Sequence, residues 1–267
     1  MFFSILRQWL ITPFTHYRLL HNFTRQDFSS QFAGSLGGFV WLFVTPIVNI
    51  IIYSFVFSVV FRAPMPPEYQ GYPFVIFLMM GYLPWFAFAD AVGRSSSLLL
   101  EKAPLITKVL FPVQIIPVVG TLVPYLVHGI GLGVFLLYLL FQGHFAWTWL
   151  WLFPVLLLQF LFTMGIVAVL SALCVFLRDI QQAMALVLTA WFFMTPIIYP
   201  VSLIPEAYQP LLLLNPMHSF IDFYRHAILL GEFSLQSFSI LLPTALFSYL
   251  FGGWFFLRIK HSFGDVL

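Results

Sequence analysis

The sequence predicts an all-α membrane protein with six transmembrane helices and with both termini in the cytoplasm. Of its 267 residues, 61% are hydrophobic and only 7% are charged, whereas a soluble domain carries about 25% charged residues. A chain this apolar has too few polar side chains to cover a surface in water, so a bilayer is its natural solvent. Its long apolar stretches do not alternate with polar residues in the manner of a barrel strand.

Six apolar stretches are long enough to cross a membrane, because a helix rises about 1.5 Å per residue and about 20 residues span a ~30 Å hydrocarbon core. In chain order they are Gly34–Phe61, Phe74–Gly93, Val113–Phe141, Thr148–Leu177, Gln182–Tyr199 and Gln236–Leu257. The connections between them contain prolines, glycines or charged residues, which interrupt helices. Residues 33–267 are therefore predicted to form a single transmembrane domain.

The first 32 residues are predicted to form a cytoplasmic interfacial helix rather than a seventh crossing. Polar and charged residues interrupt this segment, while Leu6, Leu10 and Phe14 recur at helical spacing, a pattern typical of a helix lying in the membrane interface. Basic residues set the orientation of the whole chain. Only Arg62 and Arg225 of the 11 basic residues fall on one side of the six crossings, so the opposite side, which carries both termini, is predicted to be cytoplasmic.

The segment between the fifth and sixth crossings is apolar but contains four prolines. Pro200, Pro205, Pro210 and Pro216 prevent it from forming one continuous helix. Non-helical backbone at membrane depth must be buried in protein or line a cavity. Two short re-entrant helices that dip into the outer leaflet satisfy this requirement.

Several functional classes are excluded or disfavoured by what the sequence lacks. It contains no G-x-x-x-x-G-K-[ST] motif, so ATP hydrolysis through a P-loop of its own is not expected. It has no basic run for nucleic acid, and its single cysteine, Cys174, offers no metal cluster. Two polar residues inside the spans are interpreted as structural: Asp90 pairs with Arg94 one turn away or reaches the headgroups, and His128 is a packed, neutral histidine.

Three segments together resemble a known family of membrane proteins. The first is Gly-Ser-Leu-Gly-Gly-Phe-Val-Trp at residues 34–41, and the second is Leu-Ile-Thr-Lys-Val-Leu-Phe-Pro at residues 105–112. The third runs from Arg-Asp-Ile at 178–180 through Thr-Pro-Ile-Ile-Tyr-Pro at 195–200 to Asn-Pro at 215–216. In this order and spacing they resemble the membrane subunit of ABC-2 type exporters, most closely the branch that exports lipid-linked polysaccharides such as O-antigen, capsule and teichoic acid.

The resemblance implies a transport subunit rather than an enzyme. It implies a homodimer in the bacterial inner membrane that joins two ATP-binding cassette ATPase subunits, which bind the ATP, and moves a lipid-linked glycan between leaflets. No metal and no cofactor is expected in the chain itself, and nucleic acid is not an expected partner. Three alternatives stay open at this point: an ABC-2 exporter of a drug or small lipid, a polytopic membrane transferase, and an ion-coupled carrier.

The same resemblance, together with residue type, suggests three groups of functional residues. The loop after the second crossing is expected to dock the ATPase through Glu101, Lys102, Leu105, Ile106 and Lys108. The segment after the fifth crossing is expected to form an outer gate with Pro200, Pro205, Asn215, Pro216 and Arg225. Aromatic side chains of the first and fifth crossings are expected to line a channel, because flat rings stack on the apolar faces of sugars; they are Trp41, Tyr53, Phe57, Trp191, Phe192 and Phe193.

Overall fold

The computed structural model describes residues 2–31, 34, 37–62, 65, 69, 71–108 and 111–267, and no β-strand occurs among them. Their α-helices are α1 (Phe2–Thr15), α2 (Tyr17–Ser30), α3 (Trp41–Ser54), α4 (Phe74–Glu101), α5 (Ala103–Lys108), α6 (Ile115–Phe141), α7 (Leu152–Phe176), α8 (Asp179–Met194), α9 (Pro216–Arg225), α10 (Leu235–Ile259) and α11 (Phe263–Val266). Short 3-10 or π-helical segments extend α3, α7, α9 and α10. The predicted all-helical class is confirmed.

Five helical segments in the described part of the chain are long and apolar enough to cross a membrane. They are Gly38–Phe57, Phe74–Glu101, Ile115–Phe141, Trp147–Phe176 and Leu235–Ser262. Each of them overlaps one predicted crossing. The boundary predicted between residues 32 and 33 lies outside the described residues, and the inward location of both termini stays a prediction.

The predicted crossing Gln182–Tyr199 is the exception. Here α8 has 16 residues and ends at Met194, which corresponds to about 24 Å. Thr195 is extended, with φ −104° and ψ 130°, because the residue before a proline is driven out of the helical region and Pro196 has no N–H to donate. A sixth crossing therefore stays a prediction.

The second crossing is longer than predicted. Its helix was expected to end at Gly93, but α4 continues to Glu101. The serines of this stretch are accommodated within the helix, because each hydroxyl donates to a backbone carbonyl three residues earlier: Ser95 to Val92 at 2.6 Å and Ser96 to Gly93 at 3.1 Å. A serine run that reads as a loop is thus part of a helix.

The N-terminal segment forms two helices that pack on the bundle. The break comes at His16, and Pro13 lies inside α1. Trp9 is fully buried, with its ring centroid 6.0 Å from that of Tyr249 and 5.8 Å from that of Phe256 on α10. This contact fixes α1 against the last long helix, while its location at the membrane interface stays a prediction.

The bundle is organised around α4, whose side chains are mostly buried and which packs against α6, α7, α8 and α9. The closest helix pair is α7 with α10, where a Cβ at Gly165 or Gly252 would overlap the backbone of the facing helix. Small residues permit such contact between membrane helices. In contrast, α3 lies at the edge and leaves most of its apolar side chains exposed.

Candidate functional site

A small aromatic cavity of about 240 Å³ lies between α3, α4 and α8. Its rings come from Tyr53, Trp85, Phe86, Phe192 and Phe193. Phe192 is at the centre, with centroid distances of 6.3 Å to Tyr53, 5.7 Å to Trp85 and 6.2 Å to Phe86. The last two contacts are edge-to-face, the arrangement that aromatic quadrupoles favour. Three helices therefore present a ring-lined surface that suits the flat apolar face of a ligand.

The structure brings together three of the six aromatic residues predicted for a channel, namely Tyr53, Phe192 and Phe193. Trp41 does not join them, because it begins α3 with about half its surface exposed and its indole against Gly37. Phe57 also lies elsewhere and packs on the ring of Phe74 at 6.3 Å.

Trp191, the remaining predicted channel residue, belongs to a hydrogen-bonded junction between α8 and α9. Its indole N–H donates to Oδ1 of Asn215 at 2.9 Å, and Nδ2 of Asn215 donates to the hydroxyl of Thr195 at 2.9 Å. Oδ1 of Asn215 also accepts from the backbone N–H of Met217 at 3.1 Å, which caps α9 ahead of Pro216 at its first turn. Asn215 thus ties the end of α8 to the start of α9.

Arg225 connects α9 both to α4 and to the backbone that follows α8. Only 4% of its surface is exposed, and its two terminal nitrogens donate to the carbonyls of Pro196 and Ile197, each at 2.8 Å. The guanidinium lies 3.7 Å from the ring centroid of Phe77 on α4, a cation–π distance. A guanidinium keeps its proton in proteins, so both hydrogen bonds are charge-assisted.

The predicted gate prolines mark the starts of short helical turns. Pro200 precedes the 3-10 turn Val201–Leu203, and Pro205 precedes the 3-10 helix Glu206–Leu214. The 3-10 helix Glu206–Leu214 and α8 border an open cavity of about 790 Å³ whose wall is mainly apolar. Short helices are therefore present where two were predicted, and their entry into the outer leaflet stays a prediction.

The residues predicted to contact an ATPase lie at one end of the bundle. Glu101 ends α4 and is exposed, while Leu105 and Ile106 on α5 are half-buried. The ammonium of Lys102 lies 6.0 Å from the ring centroid of Phe23 on α2, and Lys108 is the last residue of α5. The loop thus contains a short helix fixed to the bundle, and docking of an ATPase on it stays a prediction.

The polar residues of α4 have different partners from those predicted. Nε2 of His128 on α6 lies 2.6 Å from Oδ2 of Asp90, and a terminal nitrogen of Arg94 pairs with Asp27 of α2 at 2.8 Å. The predicted pairing of Asp90 with Arg94 is therefore wrong. Their i, i+4 spacing permits it, but α6 and α2 offer each group a partner from another helix.

One member of each pair, Asp90 and Arg94, lines a polar cleft of about 360 Å³ between the end of α2, α4 and α6. Gln31, Asp90, Gly93 and Arg94 are among its wall residues, and Ala89 lines both this cleft and the aromatic cavity. One face of α4 therefore carries a polar surface directly beside an aromatic one. The sequence signal for this cleft is an acid and a histidine within two neighbouring spans, which the sequence alone leads us to interpret as structural.

Comparison with known proteins identifies the family. The family model described as ABC-2 type transporter matches residues 18–229. The chain belongs to the ABC-2 type transporter family. This ABC-2 protein is 35% identical over 222 residues to the O-antigen export system permease protein RfbA of Myxococcus xanthus, a match that covers 81% of the chain and 82% of that relative. Two O-antigen export system permease proteins RfbA of Klebsiella pneumoniae are 29% and 28% identical over 251 residues, which cover 93% of the chain and 95% of each relative.

The region matched to the ABC-2 family includes the sites described above. Residues 18–229 contain the aromatic cavity, the polar cleft, the Asn215 junction and Arg225. Only α1, α10 and α11 lie entirely outside it. The helices that form the candidate site are therefore those that the chain shares with its family.

Proposed function

We propose that this chain is the membrane-spanning permease subunit of an ATP-driven exporter of O-antigen. The observation that carries the proposal is its similarity, over 81–93% of its length, to three proteins named O-antigen export system permease. The shared length argues for the whole transport unit rather than for one common motif. A drug or small-lipid exporter of the ABC-2 family has no comparable support.

The energy source in this proposal is a separate ATP-binding cassette subunit. The chain has no P-loop, and its role is to provide the path through the bacterial inner membrane. The half-buried apolar residues of α5, Leu105 and Ile106, flanked by the exposed Glu101, suit a short helix that docks in a groove of the ATPase. A homodimer with two ATPases completes the exporter.

The substrate in this proposal is a glycan on a lipid carrier, which the exporter moves from the inner to the outer leaflet. The aromatic cavity supports this choice, because Tyr53, Phe192 and Phe193 offer ring faces and edges on which a sugar can rest. A polymer that slides through a channel needs many weak contacts. Each ring contributes a weak contact, and no single tight site would stall the chain.

Deletion of the gene in its own bacterium tests the proposal. We expect O-antigen to disappear from the cell surface and to accumulate inside the inner membrane, as measured with an antibody on intact and on permeabilised cells. A variant of the partner ATPase without its P-loop lysine should give the same accumulation and serves as the matched control. Normal surface O-antigen in the deletion strain would refute the assignment.

A further inference from the structure

We propose that the polar cleft between α2, α4 and α6 is a subsite that binds sugar hydroxyls of the exported glycan. In this subsite Asp90 contacts the sugar, His128 positions Asp90, and Arg94, one turn further along α4, supplies donors. The inference rests on the proposed function and adds to it a recognition site that the aromatic residues alone do not provide.

The depth of Asp90 in the membrane is the first argument. Asp90 lies sixteen residues after the start of α4 at Phe74 and eleven before its end at Glu101. The helix is about 42 Å long, so a hydrocarbon core of about 30 Å encloses Asp90 wherever the core falls along it. The same reasoning holds for His128, thirteen residues into α6. A charged side chain at this depth faces an interior or aqueous path rather than lipid.

The geometry of the carboxylate is the second argument. One oxygen, Oδ2, is held by Nε2 of His128 at 2.6 Å, while 51% of the Asp90 side chain and only 12% of the His128 side chain are exposed. His128 therefore fixes the carboxylate from the protein side and leaves acceptor sites open toward the cleft. An ionised carboxylate accepts up to about four hydrogen bonds, and sugar hydroxyls can supply them.

Arg94 adds a positively charged group to the cleft and is the third argument. Its Nη2 is paired with Asp27 at 2.8 Å, and its Nη1 is buried with no hydrogen-bond partner in the part of the chain that the structure describes. The Arg94 side chain as a whole is 30% exposed and lines the cleft, so the wall carries a carboxylate and a guanidinium of opposite charge. Hydroxyls both donate and accept, whereas Asp90 would repel a lone anion and Arg94 would repel a lone cation.

The neighbouring aromatic cavity completes the recognition surface. Ala89 separates the two sites on α4, and the ring of Phe86 lies 6.4 Å from that of His128 between centroids. A pyranose has apolar faces that stack on rings and an edge of hydroxyls that needs charged or amide partners. The juxtaposition of aromatic cavity and polar cleft matches these two surfaces.

Substitutions in the complete permease–ATPase complex test the subsite. We expect Asp90→Leu to reduce glycan export per assembled complex roughly tenfold, the effect of losing one charge-assisted hydrogen bond. His128→Phe should give a similar loss and His128→Gln should restore part of it, because a glutamine amide can donate to Asp90. Glu232→Leu removes an exposed acid elsewhere and should export normally.

Cysteine labelling tests occupancy without changing either ion pair. In a Cys174→Ser background, Gly93→Cys places a thiol in the cleft wall, where an added Cβ meets only Leu188 at 3.6 Å. In inside-out vesicles, a membrane-impermeant thiol reagent should label it more slowly when the cells made glycan than when glycan synthesis was blocked. Equal rates in both preparations, or no reaction in either, would overturn the inference.

The two proposals fail separately. If the wild-type complex exports no glycan, the proposed function is wrong. If it exports glycan while Asp90→Leu exports equally well, only the subsite is wrong. Should Asp90→Leu fail to assemble, the labelling of Gly93→Cys decides the question, since it leaves Asp90, His128 and Arg94 in place.

Discussion

Asn215 stabilises the junction between the end of α8 and the start of α9. It forms one hydrogen bond to Trp191, one to Thr195 and one to the backbone of Met217, so a single amide satisfies groups on both sides of the junction. Its removal leaves an indole N–H and a helix N-terminus without their acceptor. Such groups are expensive to leave unpaired where water does not reach them.

We expect Asn215→Ala to destabilise the purified chain by about 2–3 kcal/mol, the sum of a lost cap and one unsatisfied donor. Asn215→Asp keeps the acceptor for Trp191 and Met217 but loses the donor to Thr195, so its loss should be smaller. Unfolding in a detergent titration measures both variants. Asn22→Ala, at an exposed position of α2, is the matched control, and equal stability of Asn215→Ala and this control would contradict the prediction.

At the scale of residues, the sequence predicts which residue types form a site better than it predicts which residues contact each other. Tyr53 and Phe192 were placed in one aromatic group because both are rings on apolar spans, and their centroids are 6.3 Å apart. For Asp90 the sequence predicts either pairing with Arg94 or contact with the headgroups, because only the spacing along one helix is visible in a sequence. Its partner His128 comes from α6, and the neighbours of a helix depend on packing that single-helix spacing does not encode.

At the scale of elements, the helix ends were the least predictable feature. The serines after Gly93 read as a loop, yet their hydroxyls bond within α4 and let it continue to Glu101. The fifth crossing is predicted to continue through Pro196 to Tyr199, but α8 stops at Met194. The difference follows from Arg225, which binds the carbonyls of Pro196 and Ile197 and so stabilises a non-helical backbone there.

The close packing of α7 against α10 can be tested by substituting a glycine at their contact. A Cβ at Gly165 would overlap Ser248 of α10, and the hydroxyl of Ser248 donates to the Phe162 carbonyl at 2.7 Å. We expect Gly165→Val to separate the helices and to cost several kcal/mol, about the upper range for overpacking a core. Gly129→Val on α6, where nothing lies within 4 Å of an added Cβ, should change little, as measured by the melting temperature in detergent. Equal losses for the two variants would show that the helices do not meet as described.

At the scale of the whole molecule, the number of crossings depends on whether α8 spans the membrane. Alone it covers about 24 Å of a core about 30 Å thick. The six residues from Thr195 to Pro200 can span the remaining thickness. Backbone carbonyls at that depth need hydrogen-bond donors from the protein, and Arg225 donates two such hydrogen bonds. The charge distribution agrees with six crossings, since only Arg62 and Arg225 then fall outside the cytoplasmic side.

Single exposed cysteines decide between five and six crossings in the full-length chain. In a Cys174→Ser background we would place one cysteine at Gln142, Glu232 or His261, all exposed positions, and label spheroplasts with a membrane-impermeant thiol reagent. With six crossings, Gln142→Cys and Glu232→Cys react in intact spheroplasts, whereas His261→Cys reacts only after permeabilisation. If α8 does not cross, the behaviour of Glu232→Cys and His261→Cys is exchanged, while Gln142→Cys, which lies before α8, reacts in both cases and controls for labelling. We expect the six-crossing pattern. The 16-residue helix α8 is too short to cross alone, and the buried Arg225 guanidinium supplies hydrogen bonds to the backbone that follows it.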